Sequence, residues 1–93
     1  MIKSFADKRT EQIFNGQLVK RMDADLQKKI LRRLRYIEAA ERIEDLRVPP
    51  SNKLEKKEGD LKDHFAIWVN RQWRITFIWV DGYAYDVKLI DYH

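Results

Sequence analysis

The chain has no cysteine and only two histidines, His64 and His93. The first absence excludes a disulfide scaffold, a thiolate-held zinc or iron–sulfur centre, and thiol catalysis. The second speaks against a multi-histidine metal centre, and no metal or other cofactor is expected. Long hydrophobic runs are missing too: nothing approaches the roughly 20 apolar residues of a membrane helix. The opening MIKSFADKRTEQIF is charged from Lys3 onward and has no apolar stretch, so it does not read as a secretory signal. There is no repeat, no low-complexity tract and no Ser/Gly linker. Residues 1–93 therefore read as one domain, expected in the reducing cytoplasm and away from membranes.

What is present suits a folded domain of high charge. Hydrophobic residues make up 44% of the chain and aromatics 12%, which argues against disorder. A domain this small hides only roughly 60% of its unfolded surface, so its core has to be efficient. Charged residues reach 37%, against roughly 25% in an ordinary domain. The net charge of +4 and pI near 9.4 suit an anionic partner. That excess is uneven. Residues 1–50 carry twelve basic and eight acidic side chains, whereas residues 51–93 carry seven of each.

The first half reads as a short strand around Ile2 and Phe5, then helices. Asp7 caps a helix that Asn15-Gly16 stops near Phe14, and Asp23 caps a second. On that second helix Leu26, Ile30, Leu31, Leu34 and Ile37 fall within an arc of about 140°. Lys28, Lys29, Arg32, Arg33 and Arg35 fill the other side. Such a stripe is what any amphipathic helix shows, yet five cations with only Asp25 among them also suit a polyanion. The helix is expected to continue through Glu38-Ala39-Ala40 and fade near Leu46, before Pro49-Pro50 prevents continuation.

The second half switches to period two. Phe65, Ile67 and Val69 alternate with Ala66 and Trp68; Trp73, Ile75, Phe77 and Trp79 alternate with Arg74, Thr76 and Ile78. Tyr83, Tyr85, Val87 and Leu89 alternate with Ala84, Asp86 and Lys88. Asp81-Gly82 is the strongest hairpin signal, and Asn70-Arg71-Gln72 is a second tight connection. The expectation is an α+β domain: a small twisted, mainly antiparallel sheet, read as a three-stranded meander, with two N-terminal helices packed on one face.

Three segments mix charge with aromatic or amide groups beside strand ends: residues 49–55, residues 69–74 and the C-terminal Asp91-Tyr92-His93. Arg74 is placed on the strand face opposite Trp73 and Ile75. It reads either as a solvated charge on an open sheet or as a guanidinium able to grip phosphate bidentately. His93 reads either as a frayed terminal imidazole or as a proton shuttle oriented by Asp91 and Tyr92. Glu55, among Lys53, Lys56 and Lys57, reads as a solvated loop or as one carboxylate base within a cationic lip.

Taken together, these segments resemble the HigB toxins of the RelE superfamily, and among them the GraT-like subgroup. The matching stretches are MIKSF, Asp45-Leu46-Arg47 with Pro49-Pro50, and Asn52-Lys53-Leu54-Glu55 with Gly59. They continue through Val69-Asn70, Gln72-Trp73-Arg74 and Asp91-Tyr92-His93. The resemblance implies a small cytoplasmic toxin of a type II toxin–antitoxin pair that enters the 30S A site of the ribosome and cuts mRNA there. It implies a HigA-type helix-turn-helix antitoxin that neutralises the toxin, so that DNA is reached only through the antitoxin complex.

It further implies that Arg74 lies over the scissile phosphate, that Asp91, Tyr92 and His93 are needed for cleavage, and that Gln72 is an amide near the site. At position 55 some family members have histidine where this chain has Glu55, and a lysine further on is replaced by Glu58. The base is therefore open among Glu55, Asp91 and His93, with His93 also the natural acid. Lys53 or Lys56 would assist at the phosphate, Lys57 would bind RNA beside them, and the cations of the second helix would contact ribosomal RNA. A rival reading is a non-catalytic or weakly active module of the same fold that binds the ribosome, RNA or a partner without cutting.

Overall fold

A computed structural model describes residues 1–57 and 63–92. Two helices, α1 (Lys8–Phe14) and α2 (Ala24–Ala39), precede four strands: β1 (Glu55–Lys56), β2 (His64–Trp68), β3 (Trp73–Val80) and β4 (Tyr83–Asp91). The strands pair antiparallel in the order β1-β2-β3-β4. The α+β class is as expected.

Both helices start where a carboxylate can accept an orphan N–H. Asp7 accepts from the Thr10 amide at 2.8 Å, and Asp23 accepts from the Leu26 amide at 3.1 Å. Helix α1 ends at Phe14 with Asn15 as its C-cap, ahead of Gly16 at φ 80°. Helix α2 turns Ile30, Leu34 and Ile37 onto Ile67, Ile75 and Phe77 of the sheet, and all six are buried. Its polar Gln27 is buried as well, because its amide replaces backbone partners: it accepts from the Val19 N–H at 2.8 Å and donates to the Val19 and Met22 carbonyls at 2.9 Å each.

Three expectations need correction. Helix α2 stops at Ala39 rather than fading near Leu46; a separate 3₁₀ turn covers Ile43–Arg47. That turn exists because the Asp45 carboxylate accepts the N–H groups of Arg42 at 3.0 Å and Glu41 at 2.9 Å, which a continuing α-helix would hide. Those two bonds, Arg42 first, hold the Asp45 carboxyl below the ordinary carboxylate value. This stabilisation is present near neutrality and is lost as pH falls through the folded-state value.

Second, the sheet has a fourth strand, Glu55–Lys56, paired through Glu55↔Ala66 and Lys56↔Phe65. The opening segment also joins it. Ile2 and Phe5 form isolated parallel bridges to Ala84 and Val87, so this edge of β4 is covered.

Third, the two faces of β4 are not those of simple alternation. Asp86 adopts φ 52° and the β3–β4 register shifts between Thr76 and Ile78, a bulge that lets Ala84, Val87 and Leu89 share the buried face. The Asp86 amide, displaced from the ladder, donates to Ser4 Oγ at 2.9 Å. The Asp81-Gly82 hairpin is as read, with φ 51° and 85° at the two turn residues.

Further along the same edge, the Leu89 amide donates to Thr10 Oγ1 at 3.0 Å, and Thr10 is fully buried. Thr10→Val keeps the shape and removes the acceptor. It should destabilise the fold by about 1–3 kcal/mol, lowering Tm by several degrees in a thermal melt.

Candidate active site

The face of the sheet away from the helices carries a row of polar and aromatic groups. Register sets Trp68 of β2 opposite Arg74 of β3, and Arg74 opposite Ile90 of β4. One step along, Glu55, Ala66, Thr76 and Lys88 share the same face by the same pairing. Tyr92, two residues past Ile90, extends the row at its end.

Arg74 corrects the picture of a solvated side chain on an open sheet: only 5% of it is exposed. Its guanidinium carbon lies 3.5 Å from the centroid of the Trp68 ring and 4.9 Å from that of Tyr92. Nη1 donates to the carbonyls of Asn70 at 2.5 Å, Arg71 at 3.0 Å and Trp73 at 3.3 Å. The 70–72 turn aims those carbonyls inward because Asn70 Oδ1 accepts the amides of Gln72 at 2.9 Å and Trp73 at 2.8 Å. Among the described residues the hydrogen bonds of Arg74 all leave from Nη1 rather than from Nε or Nη2.

The 49–55 segment completes the row. Lys53, in the left-handed region at φ 45°, turns the chain out of a short 3₁₀ turn (Pro50–Asn52) and into β1. Its Nζ lies 4.1 Å from the Trp68 ring centroid. Glu55 Oε1 accepts the Trp68 indole N–H at 2.7 Å. Lys57 Nζ lies 5.7 Å from the Tyr92 ring. Lys56 belongs to the alternate side of β1, as the two-residue strand period requires.

The turn beneath is tied to helix α2. Asn52 is fully buried, accepts from Arg33 Nη1 at 2.8 Å, and donates to the carbonyls of Leu46 at 3.1 Å and Val48 at 3.4 Å. Asn52→Ala leaves the Leu46 carbonyl and the Arg33 guanidinium without this partner. A loss of about 2–3 kcal/mol is expected, read as a Tm fall of roughly 10 °C or more.

The structure thus brings Lys53, Glu55, Lys57, Arg74 and Tyr92 to one place. Asp91 is adjacent but differently used: it pairs in register with Trp73, and its Oδ2 accepts from Gln72 Nε2 at 3.2 Å. The Tyr92 amide donates to the Gln72 carbonyl at 2.6 Å, which fastens the end of β4 to the turn. His93, Glu58 and Gly59 lie outside the described residues.

The cations of α2 are elsewhere. Lys28, Arg32 and Arg35 line a shallow hollow with Leu31 on the helix layer, Lys29 is exposed, and Arg33 is engaged by Asn52. Sequence reasoning missed Trp68 and Asn52. The Trp68–Arg74 pairing across β2 and β3 was the signal that could have found the first.

A sheet backed by two helices, with a stacked guanidinium, lysines and one carboxylate gathered on its other face, defines a small α+β protein with a cationic and aromatic cluster beside its strand ends. The model of the family described as RelE-like toxin of type II toxin-antitoxin system HigB matches residues 3–93. Toxin HigB-1 of Vibrio cholerae serotype O1 is 38% identical over 90 residues, covering 96% of this chain and 95% of the relative. Endoribonuclease HigB of Proteus vulgaris is 34% identical over 93 residues, covering all of both chains. The chain belongs to the HigB family of RelE-like toxins, and membership implies an antitoxin partner.

Proposed function

We propose that this toxin is an endoribonuclease that works as a single domain in the cytoplasm, cutting mRNA in the 30S A site of the ribosome and so inhibiting translation. A HigA-type helix-turn-helix antitoxin would neutralise it, and DNA would be met only through that complex. The endoribonuclease class rests on the HigB family and on the Proteus relative named for that activity. The finer reading rests on one observation: a buried guanidinium, an ammonium and a carboxylate all converge on a single indole.

RNA carries its own nucleophile, so the protein has three tasks. A base takes the 2′-hydroxyl proton as O2′ attacks phosphorus. A clamp stabilises the doubly charged phosphorane. An acid protonates O5′ as the P–O5′ bond breaks, leaving a 2′,3′-cyclic phosphate. Arg74 is the clamp, held rigid by three carbonyls and assisted by Lys53. Lys57 binds RNA from beside Tyr92, and Lys56 from the alternate side of β1.

Glu55 is favoured as the base because it shares the Arg74 face. Asp91 is bonded to Gln72 on the residue pair next to it, and both serve to hold the chain end. His93, directly after Tyr92, is assigned the acid. Tyr92, half exposed, offers a ring edge to a nucleobase.

Docking on the ribosome is assigned to Lys28, Lys29, Arg32 and Arg35; Arg33 contributes from its place against Asn52. Reversing the first four to Glu should weaken ribosome association at least tenfold at low salt and flatten its salt dependence, while circular dichroism stays unchanged. Sedimentation with 30S subunits over a salt series measures both.

The deciding experiment is primer extension on ribosome-bound and naked mRNA with wild type and Arg74→Ala. Cuts confined to the A-site codon of ribosome-bound mRNA, and absent with Arg74→Ala, are expected. Translation arrest with intact mRNA would instead establish the binding-module reading.

A further inference from the structure

We infer that Trp68 is a positioning residue of the proposed cleavage, holding Glu55 through its indole N–H and seating Arg74 on its ring. The inference rests on the reading of Glu55 and Arg74 given above. Trp73 and Trp79 pack against the hydrophobic core, where large aromatic rings are ordinarily used; Trp68 is not among the side chains that do so. Its neighbours are instead the Arg74 guanidinium at 3.5 Å, the Lys53 ammonium at 4.1 Å and the Glu55 carboxylate at 2.7 Å.

Each contact does something a smaller side chain could not. Glu55 is exposed on a two-residue edge strand and would otherwise sample many rotamers; a charge-assisted bond to Oε1 fixes it and leaves Oε2 to receive the 2′ proton. The ring face holds the guanidinium plane while the three carbonyls hold Nη1, so Arg74 has one orientation before RNA arrives. Register makes the arrangement possible, since Trp68 pairs with Arg74 while Glu55 pairs with Ala66, two residues earlier in β2.

The two functions separate by substitution. Trp68→Phe keeps an aromatic face and removes the N–H. It should lower kcat about tenfold on ribosome-bound mRNA with KM changed less than about twofold. In a Glu55→Gln background the same change should cost less than about twofold, because the base it positions is already gone. Trp68→Leu removes the ring as well and should raise KM in addition.

A second measurement is independent of cleavage. In a ¹H–¹⁵N spectrum of the free protein, Glu55→Ala should move the Trp68 indole proton upfield while the Trp73 and Trp79 indoles stay in place. A Trp68→Phe enzyme with wild-type kcat, equal losses in the wild-type and Glu55→Gln backgrounds, or an unmoved indole resonance would each overturn the inference. Absence of cleavage by wild type overturns the proposed function instead, and the indole resonance still decides the Glu55 contact.

Discussion

Arg74→Lys is expected to slow cleavage of ribosome-bound mRNA by about 10²–10³-fold although it conserves the charge. A lysine ammonium cannot donate to three carbonyls along one edge and present further N–H groups to a phosphate along another. It also lacks the flat surface that lies against Trp68 and Tyr92. The carbonyls of Asn70 and Arg71 would compete for the ammonium and draw it away from the substrate. Single-turnover rates on programmed ribosomes measure the effect. A lysine variant within threefold of wild type would mean that positive charge alone suffices and that the stacked geometry has no part in catalysis.

Glu55→Gln should reduce the same rate by about 10²-fold, the lower end of what a positioned base contributes. The amide oxygen can still accept the Trp68 indole N–H, so the local structure is kept and only the proton acceptor is lost. Asp91→Asn should cost less than about tenfold, because the Asp91 Oδ2 accepts from Gln72 Nε2 at the strand end, and an amide oxygen can still do that. The contrast between the two variants carries the test. Equal losses would return Asp91 to candidacy as the base, and a larger loss at Asp91 would reverse the assignment.

Much of this site was visible as residues without being visible as a place. Arg74, Glu55, Tyr92 and the Lys53–Lys57 cluster could be named from their segments, since charged and aromatic groups gathered at strand ends are uncommon outside functional surfaces. Their mutual distances could not, because β1 is only two residues long, below what any alternation pattern can reveal. The burial of Arg74 was equally hidden. A charged residue at an outward strand position reads as solvated unless the rings that cover it are known to lie near it, and Trp68 is on β2 whereas Tyr92 follows the end of β4.

The amphipathic stripe of α2 illustrates the same limit. Spacing placed Arg33 among its cations, whereas packing gave that guanidinium to a buried asparagine 19 residues away.

By itself the amino-acid sequence determined the class of the domain, the caps of both helices, the Asp81-Gly82 hairpin and the identity of the charged groups. Each of these depends on side-chain chemistry acting over a few residues of chain. Only the tertiary structure decided which cations gather at the Trp68 ring and which brace the scaffold, where β4 slips by one residue at Asp86, and that an indole joins Glu55 to Arg74. Those outcomes depend on contacts between segments far apart in the chain. Their partners are selected by strand register and the closure of the core, which local pattern does not encode.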